Sequence, residues 1–227
     1  TTRSLVHDGI ERTYLLHIPP GYDATRPTPL VLAFHGFELD GGEMARISGL
    51  NEQADLSGFI VAYPNGTGAK SSWNGGHCCG EAAKNNVDDV GFVRTLIDEL
   101  SALTSVDPAR VYATGFSNGA IFVYRLACEA SDRIAAFAPV SATPVREDQQ
   151  VCQPSRSVPL IYFHGTADRL NPYQGGTTGA GFEYVTVPEA IQFWTGGNAC
   201  PASPQSVPSG NIQHDVYAPC AQGAAVE

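Results

Sequence analysis

The segment from Val111 to Cys128 constrains the fold of this chain more than any other stretch. A β-branched run at 111–114 leads directly into Gly115-Phe116-Ser117-Asn118-Gly119, and a helix-like stretch follows. A strand that ends in Gly-x-Ser-x-Gly and turns at once into a helix is the pattern of a nucleophile elbow. The two glycines permit a strained turn and a close approach of strand and helix. The pattern therefore predicts that Ser117 stands at the mouth of a cleft.

The remaining chain alternates between strand-like and helix-like stretches. Compact apolar runs bounded by proline or glycine predict buried strands at 30–34, 59–63, 134–140 and 160–163. Apolar residues at helical spacing predict helices at 43–57, 87–104 and 188–194. A hairpin that turns at Asp8-Gly9 opens the chain, and 212–217 is a further predicted strand. This alternation predicts an α/β fold with a mostly parallel central sheet and helices on both faces.

Neither the composition nor the spacing of motifs divides the chain. No linker, repeat or low-complexity tract interrupts its 227 residues, so we expect one domain over 1–227. No long apolar insertion is present that could form a lid domain.

Polar motifs follow three of the predicted strands. In an open parallel sheet the ligand lies beyond the carboxyl ends of the strands, so we expect the segments after 30–34, 111–114 and 160–163 to meet. Acyl transfer builds negative charge on a carbonyl oxygen, which backbone N–H groups can stabilise. We assign that oxyanion hole to the N–H groups of Phe37, in His35-Gly36-Phe37, and of Asn118, the residue after the nucleophile.

The sequence predicts the acid of a catalytic triad more clearly than it predicts the base. Asp168 lies on the loop after 160–163 and is the predicted acid, whereas Asp132 and Asp148 follow no clean buried strand. The chain order serine, acid, histidine is that of α/β-hydrolases, and His214 is the one histidine downstream of Asp168. Because His214 lies inside a predicted strand, two interpretations remain open: it is either the triad base or a solvent-facing residue of that strand.

Cysteine number and spacing predict disulfides. An even set of six in a Gly- and Pro-rich chain suits an oxidising compartment. Cys200 and Cys220 flank a hairpin-like stretch, so we expect them to pair. Adjacent cysteines rarely bond each other, so Cys78 and Cys79 are expected to reach the remaining two cysteines, Cys128 and Cys152. The spacing does not fit a zinc site, and we expect no metal.

Net charge and hydropathy exclude several partners. The formal charge of −10, with no basic run, argues against nucleic acid and anionic membranes and favours a neutral ligand. No apolar run reaches the length of a membrane span. The chain begins Thr1-Thr2 rather than with Met, so we expect a processed or excised product. Separately, we expect a monomer.

Several stretches in order resemble a known family over nearly the whole chain. They are 12–14, 19–22, 35–36, 73–74, 78–80, 88–92, 117–120, 164–168 and 171–173. Together they resemble the bacterial secreted esterases named feruloyl esterase, LpqC-like and polyhydroxybutyrate depolymerase-like, a branch of the α/β-hydrolases. The resemblance implies a secreted hydrolase of carboxylic esters without metal or cofactor, in which Ser117 is the nucleophile and Asp168 the triad acid.

The resemblance also predicts a missing residue. In the family the triad histidine lies one strand beyond the position of Cys220, and this chain ends near that strand, at Glu227. We therefore expect a C-terminal truncation, with the histidine beyond Glu227. Loss of one triad member typically reduces turnover about 10⁴- to 10⁶-fold.

Substrate and function leave alternatives open. Phe37, Trp73 and Tyr173 are the aromatic residues nearest the predicted cleft, and we expect Trp73 and Tyr173 to bind substrate, with core packing as the alternative. They favour a feruloyl, cinnamoyl or short-acyl ester, small or attached to plant cell-wall polysaccharide. The alternatives are polyhydroxyalkanoate depolymerisation and a noncatalytic polysaccharide-binding module on the same scaffold.

Overall fold

The computed structural model describes residues 1–177 and 181–227. In chain order the strands are β1 (Thr2–His7), β2 (Ile10–His17), β3 (Thr28–Phe34), β4 (Ile60–Pro64), β5 (Val106–Phe116), β6 (Ala136–Val140), β7 (Gly176–Thr177), β8 (Glu183–Tyr184), β9 (Gln205–Ser209) and β10 (Ile212–Val216). The helices are α1 (Gly41–Ser48), α2 (Leu50–Ser57), α3 (Gly80–Lys84), α4 (Asp89–Leu103), α5 (Asn118–Glu129), α6 (Arg146–Val151) and α7 (Val187–Gly197), followed by a short 3₁₀ turn at Ala221–Gly223.

Six strands form the central sheet in the order β1-β2-β4-β3-β5-β6. The opening hairpin β1–β2 is antiparallel and joins β4 in antiparallel fashion, whereas β4, β3, β5 and β6 are parallel. Isolated bridges extend the sheet beyond β6, first to 160–163 and then, again in parallel, from Leu160 to Val226. The predicted mostly parallel sheet is therefore confirmed.

The middle strand β3 shows why helices cover both faces. Side chains alternate across a strand. Leu30, Leu32 and Phe34 pack into one apolar core with α4 and α5. Ala33 packs into another core on the opposite face, with α1 and α2. The α/β layer arrangement with helices on both faces follows from this alternation and is also confirmed.

Two predicted elements differ from the structure. The helix predicted over 43–57 is two helices, α1 and α2, because Gly49 between them has φ 63°, a left-handed conformation that ends a helix. The strand predicted over 212–217 is β10 over Ile212–Val216, which pairs antiparallel with β9 in a separate hairpin. Only the last predicted residue, Tyr217, reaches the extended edge of the sheet, through an antiparallel bridge to Val226.

The disulfide pairing is a partial correction. Cys200 pairs with Cys220 as predicted. The expectation that Cys78 and Cys79 reach Cys128 and Cys152 was wrong, because the two adjacent cysteines bond each other and the other two form a third disulfide. That third disulfide ties the last full turn of α5 to the end of α6. Over the ranges described, no helix combines the length and the apolarity needed to cross a bilayer.

Candidate active site

The turn at Ser117 is the geometric centre of the site. Strand β5 ends at Phe116, α5 begins at Asn118, and Ser117 between them has φ 54° and ψ −117°. A non-glycine residue with positive φ is strained, and such strain recurs at functional sites. A Cβ at Gly119 would overlap the carbonyl oxygen of Phe34, and one at Gly115 would overlap that of Gly119. Glycine is therefore required on both sides of the serine.

Two backbone N–H groups at this turn are available to a ligand. Within residues 1–177 and 181–227, neither Phe37 nor Asn118 donates its backbone N–H to another group. Asn118 is the first residue of α5, where an N–H has no partner inside the helix. Gly36 packs against the elbow, since a Cβ there would lie 3.2 Å from Cδ1 of Phe116. The loop that carries Phe37 thus contacts the elbow from which Asn118 begins α5.

A buried histidine holds the loop that carries Phe37. The Nδ1 of His35 lies 2.7 Å from the carbonyl oxygen of Gly36, and its Nε2 accepts a hydrogen bond from the N–H of Gly66 at 2.9 Å. Burial lowers the pKa of His35, which keeps the ring neutral. A neutral ring can donate through one nitrogen and accept through the other, as both contacts require. His35 is therefore a structural residue of the loop.

The prediction that Trp73 binds substrate was wrong. Its side chain is completely buried, stacked on Phe122 and edge-on to Phe34. The Asn118 side chain binds the Trp73 backbone twice, accepting from its N–H at 2.8 Å and donating to its carbonyl oxygen at 3.1 Å. Trp73 is thus a core residue, and Asn118 fastens the start of α5 to it.

Asp168 is connected to the elbow by two residues at the end of β6, Val140 and Ser141. The N–H of Ser117 donates to the carbonyl oxygen of Val140 at 3.0 Å, and the hydroxyl of the next residue, Ser141, donates to the carboxylate of Asp168. Two backbone N–H groups, of Leu170 and Asn171, donate to the same carboxylate at 2.9 and 3.0 Å. Burial by itself would raise the pKa of Asp168, but these hydrogen bonds outweigh it and lower the pKa. Asp168 is held as a fixed anion.

The structure does not join His214 to Ser117 and Asp168. The Nε2 of His214 lies 2.8 Å from a carboxylate oxygen of Glu227, and the half-exposed ring sits on the β9–β10 hairpin. The assignment of His214 as base is corrected accordingly. His164 is nearer to the acid, with Nε2 4.0 Å from Asp168. Its two nitrogens contact the Tyr162 hydroxyl and the carbonyl oxygen of Asn171.

Phe37 and Tyr173 are the aromatic residues that remain beside the site. Phe37 is 40% exposed. Tyr173 is half-buried and packs edge-on against His164, with 5.9 Å between ring centroids. Since His164 also borders Asp168, Tyr173 lies on the acid side of the elbow. Its role in binding substrate stays a prediction.

One group of side chains has the donor atoms of a metal site. His7, Asp8 and Asp88 present ligand atoms within 4.8 Å of one another. His7 and Asp8 lie at the β1–β2 turn and Asp88 is the N-cap residue of α4, and β1 is the edge strand farthest from β6 in the sheet order. The group is therefore separate from the elbow at the end of β5.

Sequence reasoning missed Ser141. It comes directly after β6, so the rule that placed Phe37, Ser117 and Asp168 at the carboxyl edge applies to it as well. Its φ of 58° lies in the left-handed region, as at Ser117. The position of Ser141 immediately after a parallel strand is the signal that could have identified it.

Comparison with known proteins gives one family. Residues 12–150 match the family model described as Esterase PHB depolymerase. Feruloyl esterase B of Piromyces equi is 30% identical over 95% of this chain and 40% of its own length. The putative esterase NocK of Nocardia uniformis is 36% identical over 78% of this chain and 51% of its own. This chain thus spans about half or less of these two relatives.

Longer coverage and shared architecture come from two further proteins. A probable feruloyl esterase C of Aspergillus niger is 30% identical over 93% of this chain and 73% of its own length. An acetyl xylan esterase from Aspergillus awamori superposes with a TM-score of 0.74, covering all of this chain and 91% of that one at 14% identity. At that identity the likeness shows the fold, which is that of the α/β-hydrolases.

Proposed function

The chain belongs to the Esterase PHB depolymerase family, and we propose that it is a secreted hydrolase of carboxylic esters, with feruloyl, cinnamoyl or short-acyl esters as substrates. The observation that carries this proposal is the strained turn at Ser117, with the unpaired N–H groups of Phe37 and Asn118 beside it among the described residues. The names of the relatives support ester hydrolysis. Three disulfides support an oxidising, extracellular compartment.

In the proposed mechanism, the oxygen of Ser117 attacks the ester carbonyl carbon as its proton passes to the triad base. The base then gives this proton to the leaving alkoxide, the ester C–O bond breaks, and an acyl-enzyme forms as the alcohol leaves. The charge that develops on the carbonyl oxygen is stabilised by the N–H groups of Phe37 and Asn118, each typically worth about 3–4 kcal/mol. Asp168, a fixed anion, would orient and stabilise the imidazolium of a triad base. Water then attacks the acyl-enzyme and releases the acid.

Ser117 is tested by substitution and by labelling. In Ser117→Ala we expect loss of labelling by an organophosphonate and loss of hydrolysis of p-nitrophenyl acetate and methyl ferulate. The matched control is Ser101→Ala, an exposed serine on α4 whose hydroxyl donates to Ile97, and it should leave both rates unchanged. Hydrolysis that survives in Ser117→Ala would overturn the proposal.

The base is tested separately. Val226 and Glu227 run parallel to 160–163, so residues following them in a longer chain would continue toward the edge that holds Asp168. We propose that the base is a histidine in such a continuation. A chain extended beyond Glu227 should then hydrolyse esters about 10⁴-fold or more faster than the 227-residue chain. His214→Ala should change the rate of neither the 227-residue chain nor the extended chain. Loss of activity in His214→Ala would instead assign the base to His214.

Two other functions have an observation in their favour. The description of the family model favours polyhydroxyalkanoate depolymerisation, which release of hydroxybutyrate, measured against release of ferulate, distinguishes. Among the described residues no histidine hydrogen-bonds to the Ser117 hydroxyl, which favours a noncatalytic polysaccharide-binding module. Polymer binding that is unchanged in Ser117→Ala, without ester cleavage in either the 227-residue or the extended chain, would support the module.

A further inference from the structure

A cavity of about 430 Å³ lies along α5, away from the nucleophile. Its lining includes a stripe of α5 at i, i+3, i+4 and i+7, formed by Ile121, Tyr124, Arg125 and Cys128. Residues of α6, α7 and the segment 74–77 close the other sides. The volume falls within the range of small-molecule sites, roughly 300–1,000 Å³.

The cavity is separate from the proposed ester site. Neither Ser117 nor Asp168 is among the described residues that line it. On α5 the lining begins at Ile121, which follows Ser117 by four residues, or about 6 Å along the helix axis, and it continues away from Ser117 to Cys128. A small apolar cluster packs around this first turn of α5 and contains Cys78, Ala120, Ile121, Ala142, Val145 and Tyr184.

One wall of the cavity is aromatic. Tyr124 and Trp194 are stacked, with ring centroids 6.4 Å apart, and Phe193 packs edge-on against Trp194 at 5.1 Å. Tyr124 and Trp194 are almost completely buried, so packing restricts their rings to small movements. Rigid aromatic walls of this kind provide apolar contact for a flat ligand.

The charges around the cavity are paired. Arg125 forms an ion pair with Glu129 at 2.8 Å, and His77 forms one with Asp148 at 2.7 Å. The hydrogen bond to Asp148 raises the pKa of His77, which favours the charged ring that balances this carboxylate. A charged ligand would have to break one of these pairs. The lining therefore favours a ligand without net charge.

Three lining residues contribute a buried polar atom without a hydrogen-bond partner among the described residues: the hydroxyl of Tyr124 and two atoms of opposite kind. The indole Nε1 of Trp194, a donor, and the side-chain Oε1 of Gln149, an acceptor, have no partner in 1–177 or 181–227. Buried polar groups are almost always hydrogen-bonded in native proteins. A hydroxyl can both donate and accept. A ligand that carries several hydroxyls, reached by small rotations of these two side chains, can pair with both.

We propose that this cavity is a second binding site and that its ligand is a neutral ring rich in hydroxyls, the chemistry of a sugar residue. The face of such a ring lies on the aromatic wall formed by Tyr124, Phe193 and Trp194, and its hydroxyls bind Trp194, Gln149 and the amides around the opening. The site is independent of the ester chemistry proposed for Ser117.

The binding test uses the full chain carrying Ser117→Ala, so that hydrolysis does not interfere. The probes are xylobiose and cellobiose, with ferulate as a flat, charged competitor. The chain has two tryptophans, of which Trp73 lies in the core and Trp194 lines the cavity. We expect a saturable change in tryptophan fluorescence with either disaccharide, no change with ferulate, and loss of the change in Trp194→Phe.

Variants at the cavity opening keep the test independent of core folding. Gln149→Leu should weaken disaccharide binding, measured by calorimetry, about tenfold, as expected for one hydrogen bond, whereas Gln192→Leu on the exposed face of α7 should not. Val151→Phe narrows the opening at a side chain that is 74% exposed, and its control is Leu56→Phe, at 84%. Val151→Phe should also weaken disaccharide binding about tenfold or more, whereas Leu56→Phe should not. Absence of binding, or equal affinity in all four variants, would overturn the proposal, as would tighter binding of ferulate.

Discussion

A buried ion pair between Arg12 and Asp89 ties the opening hairpin to the site. The side chains are 2% and 0% exposed, and the Nη2 of Arg12 lies 2.7 Å from a carboxylate oxygen of Asp89. The same guanidinium donates to the carbonyl oxygen of Asn65, and Asp89 accepts from the N–H of Asn74 at 2.8 Å. The pair therefore holds both ends of the segment 65–74, in which Gly66 donates a hydrogen bond to His35.

Substituting one partner should cost far more than substituting both. Arg12→Met leaves the Asp89 carboxylate buried without its counter-charge, which typically destabilises a protein by about 3–5 kcal/mol. Arg12 also lies 3.9 Å from the ring centroid of Phe92, a contact that methionine only partly replaces. In the double variant Arg12→Met/Asp89→Asn no charge is buried, and the amide oxygen still accepts from Asn74. We expect that double variant to lose less than about 2 kcal/mol.

The assay is urea unfolding followed by circular dichroism at pH 7 with the disulfides intact. The matched control is Arg94→Met, which breaks the exposed ion pair of Arg94 with Asp132, at 34% and 51% exposure, and should cost less than about 1 kcal/mol. Equal losses in Arg12→Met and Arg94→Met would refute the reasoning. So would a double variant that is less stable than Arg12→Met.

Two further predictions concern the acid and the oxyanion loop. In Ser141→Ala the Asp168 carboxylate loses a charge-assisted hydrogen bond, so kcat of the extended chain should fall about tenfold or more at unchanged KM; a change in KM alone would contradict this. Burial lowers the pKa of folded His35 below its ordinary 6.5, so the stability that its neutral form contributes is complete above pH 6.5 and is lost as the pH falls further. Between pH 7 and 5 the free energy of unfolding should therefore decrease more steeply in the parent than in His35→Gln, and parallel slopes would refute it.

The sequence predicted the fold because its strands carry a local signature. Each buried strand is a short apolar run that ends at glycine, proline or a polar motif, and this pattern does not depend on distant contacts. The rule that parallel strands end at one edge of a sheet then predicted that Phe37, Ser117 and Asp168 lie near one another. This prediction for the three residues depends only on the order of strands and helices along the chain.

The residues that were missed depend on contacts between distant segments. Trp73 has the composition of a substrate-binding aromatic, but Asn118, 45 residues away, binds its backbone and places its ring in the core. An aromatic residue after a loop has the same local sequence whether its neighbours are solvent or other side chains. The pairing of Cys128 with Cys152 likewise depends on how α6 packs beside α5, which local spacing does not specify.

His214 shows the same limit in a form that bears on function. Its strand was predicted correctly, since alternation specifies an extended backbone, but alternation does not choose the partner strand. β10 pairs with β9, so the His214 ring lies outside the parallel sheet and binds Glu227. A triad base has to project from the carboxyl edge of the sheet, after which Ser117 and Asp168 both lie. His214 does not meet that requirement, whereas the segment 225–227 runs parallel to 160–163 and points toward that edge.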